Sequence, residues 1–152
     1  MTNSPTVHAS AVLAGTRAVL IRGPAGSGKS RLALALISAG QTGLIRFARL
    51  VGDDRVALEA RHGHLLVRPA PALAGLIELR GLGIQRLAYE PLAVVGLVVD
   101  LAVNYAERMR EPSEVTIEGV RIPRLAAKAG ENPLPAILAM LATPETEIKP
   151  PS

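Results

Sequence analysis

Apolar and polar positions along this chain fall into short runs, and those runs predict more strands than helices. Residues 6–13, Gly15 and residues 18–22 read as two strands joined by a tight turn, the second built on the aliphatic run from Ala18 to Ile21. At residues 29–39 the pattern changes to good helix formers, with Leu32, Leu36 and Ala39 on one face and Gly40 as a stop. Past Gln41 the strands return: residues 49–52, then 55–60 and 64–68 as a hairpin around His62-Gly63. Residues 69–73 predict a turn of helix, 76–79 a strand, and 93–102 a long apolar strand at the sheet centre. A second hairpin pairs 114–117 with 120–122 around Glu118-Gly119, and 133–141 predicts a terminal helix with proline near its first turn. The expectation is an α/β domain over residues 1–142 with a mixed β-sheet, followed by a disordered Pro-rich tail over 143–152.

Composition narrows this picture. A chain of 152 residues is long enough for one core, and with one Phe, two Tyr and no Trp that core must be aliphatic. The absence of cysteine excludes disulfides, thiolate metal sites and cysteine nucleophiles. The net charge of +4 is carried mostly by arginine, since only Lys29, Lys128 and Lys149 are lysine. Its planar fork suits phosphate or an acidic partner, while the lack of a basic run or nucleic-acid motif argues against nucleic acid. The longest apolar stretch, residues 92–99, is about half of what a bilayer span needs, and the first ten residues lack a signal-peptide pattern. The expected location is the cytoplasm.

One motif carries chemistry. Residues Gly23-Pro24-Ala25-Gly26-Ser27-Gly28-Lys29-Ser30 satisfy the phosphate-loop (P-loop) pattern and lie between an apolar strand and an amphipathic helix, the context that pattern requires. Glycines let backbone N–H groups curl around a polyphosphate, the helix offers its positive N-terminus, Lys29 reaches the β- and γ-phosphates, and the Ser30 hydroxyl can ligate magnesium. The motif implies a nucleotide without naming the reaction.

The next carboxylates, Asp53 and Asp54, end one apolar strand and precede another. Such a pair supplies a magnesium-water contact or a general base, or merely caps a hairpin; on extended backbone the two side chains would point in opposite directions. Glu78 is a lone charge within an apolar strand, followed by Arg80, and is either a magnesium ligand or the salt-bridge partner of Arg80.

The segments GPAGSGKS, VGDDR and IELRGLGI, in this order and with His8 ahead of them, resemble the catalytic domain of bacterial HPr kinase/phosphorylase over roughly residues 6–142. That resemblance implies a sheet like that of phosphoenolpyruvate carboxykinase. It implies that Lys29 and the loop hold ATP, that Ser30 and Glu78 hold Mg2+, and that Asp54 is the general base with Asp53 in support. His8 would contact the transferring phosphate, and Arg108, with Arg110 as its competitor, would stabilise the phosphoryl charge. The implied reaction is ATP-dependent phosphorylation of a serine on the small phosphocarrier HPr, with reverse phosphorolysis to pyrophosphate. The family also implies a homo-oligomer, a hexamer among its members.

The chain departs from the family pattern in four places. The catalytic region is expected to start within the first ten residues, where the best-known members carry an additional N-terminal domain; residues 41–49 form an insertion expected to loop out, the C-terminal region reads as short, and Glu131 stands where the family usually has arginine. The charge reversal at Glu131 favours kinase over phosphorylase activity. Two other classes compete: a regulatory module that senses ATP or phosphate without efficient turnover, and a P-loop kinase of another substrate. Lys29, Asp54 and Glu78 argue against the first.

Overall fold

Loop length decides most of the strand pairing. β1 (Thr6–Ala14) and β2 (Arg17–Arg22) are joined through Gly15, whose φ of 71° makes a tight reversal, so they pair antiparallel from Ala9–Arg22 to Ala14–Arg17. The chain then passes through helix α1 (Lys29–Gln41) and returns as β3 (Ala48–Gly52), antiparallel to the second half of β1. β4 (Arg55–Arg61) and β5 (His64–Pro69) form the hairpin at His62-Gly63, and β4 also pairs with the first residues of β1. A 3-10 turn at Pro71–Leu73 leads to a separate hairpin of β6 (Leu76–Leu79) and β7 (Gly83–Arg86). β8 (Ala93–Val103), β9 (Glu114–Ile117), β10 (Val120–Lys128) and helix α2 (Leu134–Ala142) complete the elements. This computed structural model describes residues 5–104, 106 and 114–142; Arg108, Arg110 and the expected tail lie outside the described residues.

β8 organises the sheet. It runs parallel to both β2 and β10, and its first residues pair antiparallel with the middle of β5, so β1, β4, β5, β8 and β2 close into a circuit. Midway, the pairing steps from Ala18–Val95 to Val19–Leu97. The extra residue, Gly96, is a bulge that resets which side chains face which way. Ala93, Val95 and Val98 join one apolar cluster, while Leu97, Val99 and Leu101 join the other. Only glycine fits there, because a Cβ at Gly96 would lie 2.6 Å from the Cβ of Arg17.

The two clusters use the same strands by alternation. Ala18 and Leu20 point into the circuit, with Ala9, Ala11, Val56, Leu65 and Val67; Val19 and Ile21 point to α1, where Leu32, Leu36 and Ala39 pack. Burying Leu36 fully contributes about 2 kcal/mol. A closed circuit of so few strands leaves room only for small and aliphatic side chains, which is why an alanine-rich, aromatic-poor chain can fill it.

The mixed α/β architecture agrees with the expectation, with three differences. β10 continues to Lys128, because Arg124 to Lys128 pair in parallel with β8, a partner no local pattern announces. Residues 83–86 form a strand where a glycine turn was expected, since Gly81 and Gly83 at φ 86° and 79° fold the chain back onto β6. Residues 41–49 do not simply loop out: Ile45 is buried against α1 and its N–H bonds to the Ala39 carbonyl. Among the described residues no helix is long and apolar enough to cross a membrane.

Three adjacent strands are also tied by charge. Arg22 donates Nε to Asp100 Oδ1 at 2.7 Å and Nη2 to Oδ2 at 2.8 Å, and Arg124 Nε donates to Oδ2. Burial pushes the Asp100 carboxyl upward, but the hydrogen bonds and charges of Arg22 and Arg124 outweigh it and hold the group below its ordinary value. A carboxyl depressed in the folded state contributes stability that is complete above its unfolded value near 4 and is lost as pH falls through the folded one. Asp100→Asn is therefore expected to destabilise the fold at pH 7 by about 3 kcal/mol, because two part-buried arginines lose their shared counter-charge. The deficit should shrink toward pH 3, as measured by urea unfolding at each pH.

Candidate functional site

The glycine loop leaves the C-terminal end of β2 at Gly23 and enters α1 at Lys29. Gly26 and Gly28 take φ of 81° and 101°, a region that costs an L-residue roughly 1 kcal/mol or more, so the turn into the helix depends on them. No side chain caps α1. Its first N–H groups therefore face the concave side of the loop.

Lys29 lies almost wholly inside this turn, 7% exposed, with Nζ donating to the carbonyls of Gly23 at 2.8 Å and Pro24 at 3.1 Å. It forms no ion pair with a carboxylate among the described residues. The Ser27 hydroxyl is buried beside it without a hydrogen-bond partner.

Asp53 lines the same cleft with the opposite sign and, like Lys29, without an ion pair among the described residues. It is 3% exposed and accepts from Ser30 Oγ at 2.8 and 2.9 Å, from Ser10 Oγ at 2.6 Å and from the Glu78 N–H at 3.1 Å. Among the described residues only neutral donors hold this buried carboxylate. Asp54 follows with φ 71°, a left-handed conformation that aspartate tolerates better than most residues, and its Oδ1 lies 2.8 Å from His8 Nε2. The expectation that the two aspartates diverge on extended backbone fails for this reason: the left-handed turn at Asp54 lets both line one cleft.

That cleft has a volume of about 820 Å³. The structure brings together His8, Lys29, Ser30, Asp53, Asp54, Glu78 and Arg80, along with Ala25, Gly26 and Gly28 of the loop, while Gly23, Pro24 and Ser27 form the loop's base and back rather than its wall. Glu78 presents an exposed carboxylate from β6 and is not paired with Arg80, so the salt-bridge alternative falls away. The β6–β7 turn, Leu79 to Gly83, forms the outer wall.

Residue typing alone passed over Ser10. It is fully buried on β1, on the face that also carries His8, and its signal was one polar residue within the apolar run ASAVLA. No cluster of three or more His, Cys, Asp or Glu suited to a metal occurs among the described residues. Hydroxyl and carboxylate oxygens from Ser30, Asp53 and Glu78 nevertheless fit magnesium, which is held by few protein oxygens together with substrate phosphates.

Residues 1–89 match the HPr Serine kinase C-terminal domain, and the chain belongs to that family. It is 35% identical over 129 residues to the HPr kinase/phosphorylase of Limosilactobacillus reuteri, covering 75% of this chain and 38% of that protein. Against the HPr kinase/phosphorylase of Mycoplasma mycoides it is 33% identical over 159 aligned positions, covering 90% and 48%. The chain thus spans less than half the length of these two curated relatives. The solved structure of the Hpr(Ser) kinase/phosphatase from Coxiella burnetii superposes with a TM-score of 0.70 at 27% identity, over 91% of this chain and 88% of that one.

The left-handed turn at Asp54 makes a distinct demand on stability. Asp54→Gly and Asp54→Ala both delete the carboxylate, so their difference reports the backbone alone. The glycine variant should be the more stable by about 1 kcal/mol, the reverse of the order normal in regular structure, as read from thermal or urea unfolding.

Proposed function

We propose that this domain, over residues 1–142, transfers the γ-phosphoryl group of ATP to a serine hydroxyl of an HPr-type phosphocarrier. The observation that carries this reading is the pair of buried, unlike charges facing one cleft without pairing: Lys29 held by carbonyls and Asp53 held by hydroxyls and an N–H. Isolated buried charges are costly, and a magnesium–polyphosphate satisfies both at once, with its anion toward Lys29 and its cation toward Ser30 and Asp53. The left-handed glycines Gly26 and Gly28, which line the cleft, support the same ligand. The mixed sheet supports the phosphoenolpyruvate carboxykinase-like reading of the fold.

In this reading Lys29 and the N–H groups of the loop and α1 bind the phosphates, and Ser30 and Glu78, with Asp53 behind Ser30, hold the metal. Bound there, magnesium neutralises charge on the phosphate oxygens. Asp54 accepts the proton of the attacking serine, and His8, bonded to its Oδ1, orients the carboxylate toward the incoming hydroxyl. Arg108 supplies positive charge to the transferring group. In the reverse direction phosphate attacks the phosphoserine, and Asp54 returns the proton.

Incubation with labelled ATP, Mg2+ and the host's HPr-type carriers tests this. Lys29→Ala should abolish nucleotide binding and transfer together. Asp54→Asn should lower kcat by about 10² to 10⁴ while nucleotide affinity stays within a few-fold. Nucleotide binding without serine phosphorylation of any carrier would overturn the kinase reading in favour of a sensing module.

The Glu131 carboxylate accepts the Lys128 N–H at 2.8 Å, so it is built into its own turn. Glu131 lines a separate, smaller pocket with Asn132 and Pro133; by the family resemblance an acidic group at this position weakens recognition of phosphate, and forward transfer should exceed phosphorolysis by at least about tenfold. Rapid pyrophosphate release from phosphoserine-HPr and phosphate would reverse that ranking.

A further inference from the structure

We propose that Ser10 is a positioning residue for this site: it locks the Asp53 carboxylate against Ser30 and braces the backbone turn that presents Asp54. The inference rests on the reading that a magnesium nucleotide occupies the cleft. A buried serine in a strand ordinarily satisfies itself on neighbouring backbone. Ser10 instead donates to Asp53 Oδ1 at 2.6 Å, while its oxygen faces the Asp54 N–H at 3.4 Å. One hydroxyl thereby touches both consecutive acidic residues across 43 and 44 positions of sequence.

Geometry explains why both contacts matter. Asp53 has two oxygens and must keep Ser30 within reach of each, at 2.8 and 2.9 Å. The Ser10 donor at Oδ1 and the Glu78 N–H at Oδ2 fix the plane of the carboxylate from opposite ends. At Asp54 the left-handed φ of 71° is strained, and its surroundings must hold it. The Asp54 carbonyl accepts from Ala9 N–H at 3.1 Å, so β1 grips this residue through Ala9 on one side and Ser10 on the other. Removing the Ser10 hydroxyl should loosen the ligand-facing carboxylate and the base together, yet leave Lys29 and the glycine loop untouched.

The test uses the full chain, ADP as probe, and Ser10→Ala. In wild type Mg2+ should tighten ADP binding. Ser10→Ala should reduce that enhancement by about 10- to 100-fold while metal-free ADP affinity stays within about twofold. In the metal-free protein the Asp54 amide should exchange with deuterium several-fold faster in the variant, and in transfer assays kcat should fall with carrier KM unchanged. Full retention of the Mg2+ enhancement, or an equal loss with and without metal, overturns the proposal. If Ser10→Ala does not fold, Ser10→Cys, which keeps the volume and weakens the donor, is read by the same criteria. Wild-type protein that binds no ADP overturns the nucleotide reading itself, and this proposal with it.

Discussion

The Asp53 carboxylate is the point on which the rest of the site hangs. Its four short contacts come from β1 through Ser10, from the first turn of α1 through Ser30, and from β6 through the Glu78 N–H, while the residue itself directly follows β3. Four separate elements are thus referred to one buried anion. Each donor is neutral, so the carboxylate keeps its charge available to the cleft while its desolvation is offset by hydrogen bonds. A salt bridge in its place would have fixed the elements equally well and cancelled the charge.

That convergence depends on the sheet. β1 must deliver His8 and Ser10 on the face toward α1 while Ala9 and Ala11 fill the closed circuit behind, and strict alternation along β1 does this. β8 has to serve the same two faces over a greater length, and there alternation alone fails. The Gly96 bulge corrects the phase, so that Leu97 and Val99 meet α1 at the level where Val19 and Ile21 of β2 already do. The loop then emerges from the C-terminal end of a parallel strand, where α/β sheets gather ligand-binding residues.

Much of this was legible in the chain. The strand–glycine loop–helix unit, the two hairpins and the apolar β8 are local patterns, set by periodicity and turn residues, and each appears where expected. What stayed hidden was long-range. The parallel partnership of β10 with β8, the closure through β4 and β5, and the packing of Ile45 depend on partners distant in sequence. At the cleft, motif reasoning had named the loop, the aspartates, Glu78 and His8, which the fold gathers around one space. It assumed extended backbone at Asp53-Asp54 and so misjudged their directions, since a φ of 71° at a non-glycine residue leaves no mark in composition. Ser10 went unread for a related reason: a serine among alanines is ordinary until β3 and β4 bring two carboxylic residues against it.

The separation of Lys29 from Asp53 is the feature that distinguishes a site from a structural ion pair. Where this fold needs charge only for cohesion, it pairs charges directly, as Arg22 and Arg124 do on Asp100 at the opposite face of the sheet. On the cleft side it gives the ammonium two carbonyls and the carboxylate two hydroxyls and an N–H, and keeps them apart. Neutral partners stabilise buried charges less than a counter-ion does. The fold therefore forgoes stability here, and the magnesium nucleotide proposed for this cleft would recover it by bringing a cation and an anion of its own.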